Sequence, residues 1–243
     1  PTSLLHCRHC DLVQIGLVVD PEILFPPSYP YTSGTTKILH DNFDDLAQEA
    51  ISFLNLTSED LVVDIGSNDG TLLSKFQKRG VKVLGIEPTD VGEIAQENGV
   101  ETILSYFSKK SAETVVKTHG YAKVVTAANV FAHMENVHDI IRDIKKVLGE
   151  KGIFVSESHY LISLLETVQY DTIYHEHLRY YSLNSLKNLF SQHGLEIIKA
   201  KKIPTHGGSI RVYAACKDQY PLHHSVKEIL DQEPQGDRLS HAL

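Results

Sequence analysis

Two hydrophobic periods alternate along the chain. Between 36 and 56, apolar residues fall at Phe43, Leu46, Ala47, Ala50, Ile51 and Leu54, a spacing that predicts one amphipathic helix. Beyond it, short apolar runs take turns with helix-length stretches. Leu61-Val62-Val63-Asp64-Ile65 is apolar at nearly every position, as a strand covered on both faces must be, and a helix over 71–79 follows. The unit then repeats as strand 81–87 with helix 91–98, strand 102–104 with helix 110–118, and strand 123–127 with helix 137–148. Strand 152–157 ends the series. Such alternation predicts an α/β fold with a mostly parallel, doubly wound sheet. A helix over 183–192, stopped by Gly194, and strands over 195–201 and 209–215 complete the sheet.

The ends of the chain break this rhythm. Residues 1–35 are rich in Pro and Tyr (Phe25-Pro26-Pro27-Ser28-Tyr29-Pro30-Tyr31) and are expected to be irregular, with one short strand over 12–19. Residues 221–243 begin a helix and trail off. The expected division is an N-terminal segment over 1–35, the α/β domain over 36–218, and the start of a shortened C-terminal region over 219–243. A length of 243 residues fits one α/β domain with a flanking subdomain.

Composition narrows the function. Hydrophobic residues make up 42% and charged residues 22%, the mix of a soluble globular chain. No apolar run approaches the ~18 residues of a membrane span, and no secretory pattern opens the chain, so a cytoplasmic protein is expected. A net charge of −8, with no cluster of Lys and Arg, argues against nucleic acid as partner. A small phosphorylated ligand stays compatible, since backbone amides hold phosphate. Three cysteines argue against a disulfide-stapled fold. The pair Cys7-Arg8-His9-Cys10 reads equally well as half a zinc knuckle or as two ordinary thiols.

Val63-Asp64-Ile65-Gly66-Ser67-Asn68-Asp69-Gly70 carries the clearest chemistry. A buried strand ends, a Gly turn follows, and a helix begins, which is where open α/β sheets bind ligands. Gly66 lets backbone approach a ligand, and Gly70 allows tight helix packing. The second glycine of a dinucleotide fingerprint is absent. Asp64 and Asp69 would instead repel a pyrophosphate and suit a cationic amino-acid end. Glu87, followed by Pro88, closes the next strand ~20 residues on, where a carboxylate accepts ribose hydroxyls. The combination describes adenosine joined to an amino acid, which S-adenosylmethionine satisfies.

This stretch resembles motif I of class I methyltransferases, whose domain is a Rossmann-like α/β fold. That resemblance implies that Ser105-Tyr106-Phe107 lies by the adenine, Ser105 standing where many relatives have Asp and Tyr106 and Phe107 forming an apolar wall. It likewise places Asn129 and His133, in Ala128-Asn129-Val130-Phe131-Ala132-His133, beside the methionine part.

Between 170 and 182 the chain is dense in phenols and titratable groups. Tyr174-His175-Glu176-His177, Tyr180-Tyr181-Ser182 and His206-Gly207-Gly208-Ser209-Ile210-Arg211-Val212 resemble the C-methyltransferases of deoxysugar biosynthesis, as do Tyr29-Pro30-Tyr31-Thr32-Ser33-Gly34 and Ala127-Ala128-Asn129. Members of that family have an N-terminal zinc module with two cysteine pairs, the methyltransferase core and a C-terminal Rossmann-like domain. Of the zinc module this chain has only Cys7 and Cys10, so zinc is expected of a longer protein rather than of this segment.

The resemblance implies a nucleotide-linked 4-keto-deoxysugar as small-molecule substrate. A base removes the C3 proton, and the resulting enolate takes the methyl group. His177 is the candidate base, because imidazole titrates near neutral pH. Glu176 would orient the imidazole or stabilise the enol. Tyr174 and Tyr31 would donate to the enolate oxygen. The turn His206-Gly207-Gly208 would close on the substrate, with Arg211 nearby. Two rivals remain open at this level: an O-methyltransferase of another small molecule, and a fragment that binds the cofactor without activity. A nicotinamide oxidoreductase ranks below both.

Overall fold

A computed structural model describes residues 3–28 and 30–243. The chain opens with β1 (Leu4–His6), β2 (Val13–Ile15), α1 (Pro21–Leu24) and α2 (Lys37–Leu54). The alternating block comprises β3 (Leu61–Ile65), α3 (Thr71–Gln77), β4 (Lys82–Glu87), α4 (Val91–Glu97), β5 (Thr102–Leu104), α5 (Lys109–His119), β6 (Ala122–Ala128) and α6 (Val137–Val147). It continues as β7 (Leu148–His159), α7 (Leu161–Glu166), β8 (Arg179–Tyr180), α8 (Leu183–Ser191), β9 (Leu195–Ile203) and β10 (Ser209–Cys216). The helices α9 (His224–Gln232) and α10 (Asp237–Ala242) follow.

Seven strands form the main sheet in the order β5-β4-β3-β6-β7-β10-β9. β3 pairs in parallel with β4 and β6, and β4 with β5, whereas β9 and β10 are antiparallel. The sequence expectation of a mostly parallel sheet therefore holds. A small sheet of β1, β2 and β8 was not expected in full. Strands of two and three residues carry too little periodicity to announce themselves. Among the described residues, no helix is long and apolar enough to cross a membrane.

The chain divides into two compact units. One comprises Pro21–Ala128 and Asp139–Phe154. Its helix α2 buries Leu39, Asn42, Phe43, Leu46, Ala47 and Ala50, a stripe with steps of three and four residues. Each fully buried Leu or Phe on that stripe stabilises the unit by about 1.5–3 kcal/mol. Asn55 ends the helix in the left-handed conformation (φ 52°), a common helix stop.

The other unit comprises Pro1–Asp20, Asn129–His138 and Val155–Leu243. Its core includes Phe131, stacked on Tyr181 with centroids 5.6 Å apart and 6.0 Å from Phe190. Ser182 and Ser185 form a reciprocal capping box at the start of α8. Glu233 adds a carboxylate there, accepting from the Leu183 and Asn184 amides at 2.6 and 2.9 Å and from the Tyr160 hydroxyl at 2.8 Å. Asp11 accepts from Asn184 Nδ2 at 2.8 Å and from the Gly236 amide at 3.2 Å. Residues near both chain ends are thus tied to α8.

Glu157 in β7 and Arg211 in β10 form an ion pair, and both side chains are 0% exposed. Removing one partner would leave a buried charge unmatched, which costs about 3–5 kcal/mol. Glu157→Gln is therefore expected to lower unfolding free energy in urea by that amount. A Glu157→Leu/Arg211→Met double variant should recover most of it.

Candidate functional site

The turn after β3 is shaped by three left-handed residues, Gly66 (φ 68°), Asn68 (φ 52°) and Gly70 (φ 76°). The amides of Gly66 and Ser67 donate to the Ile86 carbonyl at 2.8 and 3.2 Å, holding the turn against the end of β4. A Cβ on Gly70 would meet Ala95 and Val100 at 3.1 Å, so this glycine serves packing as well as conformation. A side chain on Gly85 would strike Ser67 Oγ.

Glu87 is buried and firmly oriented. Oε2 accepts from the Asn68 amide at 3.0 Å, and Oε1 from the Thr89 amide and hydroxyl at 3.1 and 2.7 Å. Three of about four acceptor positions are thereby used, so the carboxylate has room for one ribose hydroxyl rather than two. Asp64, also buried, accepts from Thr126 Oγ1 at 2.6 Å. Pro88 lies between Glu87 and Thr89 in this turn.

Asn68 and Asp69 face a partner that the sequence did not announce. Asn68 Oδ1 accepts from the Ser33 amide at 2.7 Å, and its Nδ2 donates to the Tyr31 carbonyl at 3.0 Å. Asp69 Oδ2 accepts from the Gly34 amide at 2.7 Å, and Oδ1 from the Thr71 amide at 3.1 Å. A Cβ at Gly34 would approach Asp69 Oδ2 to 2.8 Å. Asp69, expected to meet a cationic ligand, thus also fastens the segment bearing Tyr31. The Tyr31 phenol is half-exposed, and burial, with the Asp69 charge second, raises its pKa. Tyr29 of the same motif lies outside the described residues.

At the third strand end, Ser105 Oγ is buried without a hydrogen-bond partner. An orphaned hydroxyl there suits an adenine amino group, a ligand donor that would satisfy it. Phe107 packs inside, whereas the Tyr106 hydroxyl lies 3.4 and 3.3 Å from the carbonyls of Pro21 and Phe25. The acidic Gly turn, the anchored Glu87 and this hydroxyl all fit S-adenosylmethionine.

The second unit holds a cluster of rings around His177. Its imidazole centroid lies 4.3 Å from Tyr174, 4.7 Å from His159, 5.1 Å from His133 and 6.4 Å from Tyr180. His206 lies 5.4 Å beyond His159. His177 is 6% exposed. Its Nδ1 sits 2.8 Å from the Thr172 carbonyl, which only accepts, so Nδ1 carries the proton and Nε2 keeps its lone pair. That bond, rather than Glu176, orients the ring. Burial pulls His177 below the ordinary imidazole value, against the raising effect of the Thr172 carbonyl. Burial also raises Glu176 and Tyr174.

His159 is the residue that sequence reading missed. Its signal was position: it ends a sheet strand, where α/β folds gather functional groups. Burial takes it to about 4 and His133 to about 3, with the neighbouring His177 adding to both. Asn129 adopts φ 60°, donates its amide to the Glu157 carbonyl at 2.9 Å, and leaves Oδ1 buried without a partner.

The turn after β9 is held rather than loose. Gln169 Nε2 donates to the Gly207 carbonyl at 2.8 Å, and the Tyr160 amide to that of Gly208 at 3.1 Å. Side chains on Gly207 and Gly208 would meet Gln169 and Ser163 at 2.5 Å. Arg211, expected beside the substrate, is enclosed with Glu157 and has no exposed surface to offer a ligand.

Cys7 and Cys10 are free thiols. Backbone amides of His9 and Cys10 lower Cys7, whereas burial raises Cys10. Among the described residues, no group of three or more His, Cys, Asp or Glu is arranged to hold a metal. Two thiols fall short of the four ligands of a structural zinc site, and the histidine rings form no substitute.

Residues 38–200 match a family described as a methyltransferase domain, and the chain belongs to that family, the class I S-adenosylmethionine-dependent methyltransferases. It is similar to the C-methyltransferase NovU of Streptomyces niveus, with 34% identity over 235 residues. That match covers 96% of this chain and 56% of the relative, so the chain spans just over half that protein's length. The fold resembles magnesium protoporphyrin IX methyltransferase of Synechocystis with bound S-adenosylmethionine, at TM-score 0.61 and 12% identity over 83% of this chain and 99% of that one. It also resembles an S-adenosylmethionine-dependent methyltransferase of Clostridium acetobutylicum, at TM-score 0.56 and 12% identity over 73% and 92% of the two chains.

Two measurements follow. Calorimetric titration with S-adenosylhomocysteine should show Glu87→Ala weakening binding at least tenfold, and an unchanged affinity would remove Glu87 from the cofactor site. In the folded protein His133 and His159 stay neutral well below the 6.5 of an unfolded histidine. The unfolded chain therefore binds more protons on acidification, and stability present above pH 6.5 is lost as pH falls toward about 4. Tm should drop between pH 7 and 5, and drop less in His159→Asn.

Proposed function

We propose that the protein is a C-methyltransferase of a nucleotide-linked 4-keto-deoxysugar. The observation that carries this reading is His177, a buried neutral imidazole whose Nδ1 is pinned to the Thr172 carbonyl and whose Nε2 is left to accept a proton. A carbon next to a ketone becomes a nucleophile only once its proton is removed, which an uncharged imidazole nitrogen can do. The 34% identity to a C-methyltransferase supports the same reading.

The ketone makes the C3 proton acidic, and His177 takes it at Nε2 while the C–H electron pair moves into an enolate. Tyr174, whose phenol burial keeps protonated, donates toward the developing oxygen, and Glu176 is assigned a place beside the enol. His206, Gly207 and Gly208 border the cluster as substrate-side residues. S-adenosylmethionine, when bound, supplies a methyl group on a sulfonium, the electrophile that the enolate carbon requires. Asp64, Gly66, Ser67, Asn68, Asp69 and Glu87 are the residues assigned to hold it.

The test is methylation of a thymidine-diphosphate 4-keto-deoxysugar, followed by mass spectrometry and by NMR at C3. His177→Asn should lower kcat by about 10²–10⁴, the usual worth of a general base, with S-adenosylhomocysteine affinity kept. Methyl transfer to oxygen, or a variant as fast as wild type, would overturn the assignment.

A further inference from the structure

We infer that His159 and His206 form a relay that carries the proton taken by His177 out to solvent. The inference rests on the C-methyltransferase reading and extends it to residues that reading does not need for the chemical step.

Methylation of a C–H bond by a sulfonium releases one proton per turnover. The C3–H bond breaks, its electrons form the new C–C bond, the sulfonium becomes a neutral thioether, and the proton stays on His177. That proton must leave before the base works again. His177 Nδ1 already holds a proton bonded to the Thr172 carbonyl, so Nε2 must both take up and release the substrate proton. The ring is 6% exposed, which keeps bulk water from collecting it freely.

The neighbouring rings grade outward. His177 is buried, His159 half-buried and His206 exposed. Centroid spacings of 4.7 Å and then 5.4 Å bring the rings into contact, and transfer between their nitrogens would pass through bridging water. The scaffold brings these rings together for a definite reason. His159 ends β7, and the next residue, Tyr160, bonds through its amide to the Gly208 carbonyl, two positions after His206. His206 is itself held in a left-handed conformation (φ 51°, ψ 40°), a strained geometry for a non-glycine residue. His133 is the other imidazole beside His177, at 5.1 Å against 4.7 Å for His159.

The test follows exchange of the substrate's C3 hydrogen by NMR in D2O, with S-adenosylhomocysteine bound so that no methyl is transferred. Wild type should wash the hydrogen out. Without the relay, the abstracted proton returns to the same carbon, so His159→Asn should slow exchange at least tenfold and His206→Asn several-fold. Added imidazole should restore exchange in both, and S-adenosylhomocysteine affinity should stay within twofold of wild type. A merely structural role for His159 would give slowing that imidazole does not rescue. Slowing without rescue, or exchange as fast as wild type, would overturn the relay while leaving the base assignment intact. A wild type that neither exchanges nor methylates the sugar would overturn the function, and the relay with it.

Discussion

The enclosed pair of Glu157 and Arg211 is the interaction on which the second unit depends. Two charges removed from water stay together because separating them costs several kcal/mol. Glu157 stands two residues before His159 on β7, and Arg211 three residues after Gly208 on β10. Holding one against the other fixes β7 beside β10, and hence the strand end bearing His159 beside the turn bearing His206. An enclosed ion pair thereby helps set the geometry of the histidine cluster.

A similar economy governs the first unit. Glu87, Asn68 and Asp69 are buried or half-buried polar groups that need partners. They find them in each other's backbone and in the 31–34 segment, so the loop that fits the cofactor also anchors Tyr31. The acidic turn is therefore a joint between the end of β3 and the 31–34 segment.

The relay and the base assignment give the histidines distinct duties. His177 has one nitrogen committed and one available. His159 and His206 differ chiefly in how far they lie from solvent. Depressed basicity keeps the cluster uncharged at neutral pH, which lets His133 and His159 sit 5.1 and 4.7 Å from His177 without mutual repulsion.

Local pattern was enough for the alternating block and its parallel sheet, because helix and strand periods are written in consecutive residues. The Gly turn after β3, and Glu87 one strand later, were legible for the same reason: both lie within ~25 residues of one βαβ unit. Long-range contact decided the rest. The three-stranded sheet joins residues 4–15 to 179–180, and strands so short carry no readable period. Asn68 and Asp69 meet residues about 35 positions away in sequence. Arg211 looked like a ligand residue from its motif, but its place inside the sheet turned it to Glu157. His159 entered the cluster only because β7 ends against a turn formed some 45 residues later. Residue types and periods determine which elements form; which side chains then share a space depends on how distant segments close upon each other, and that is settled by packing.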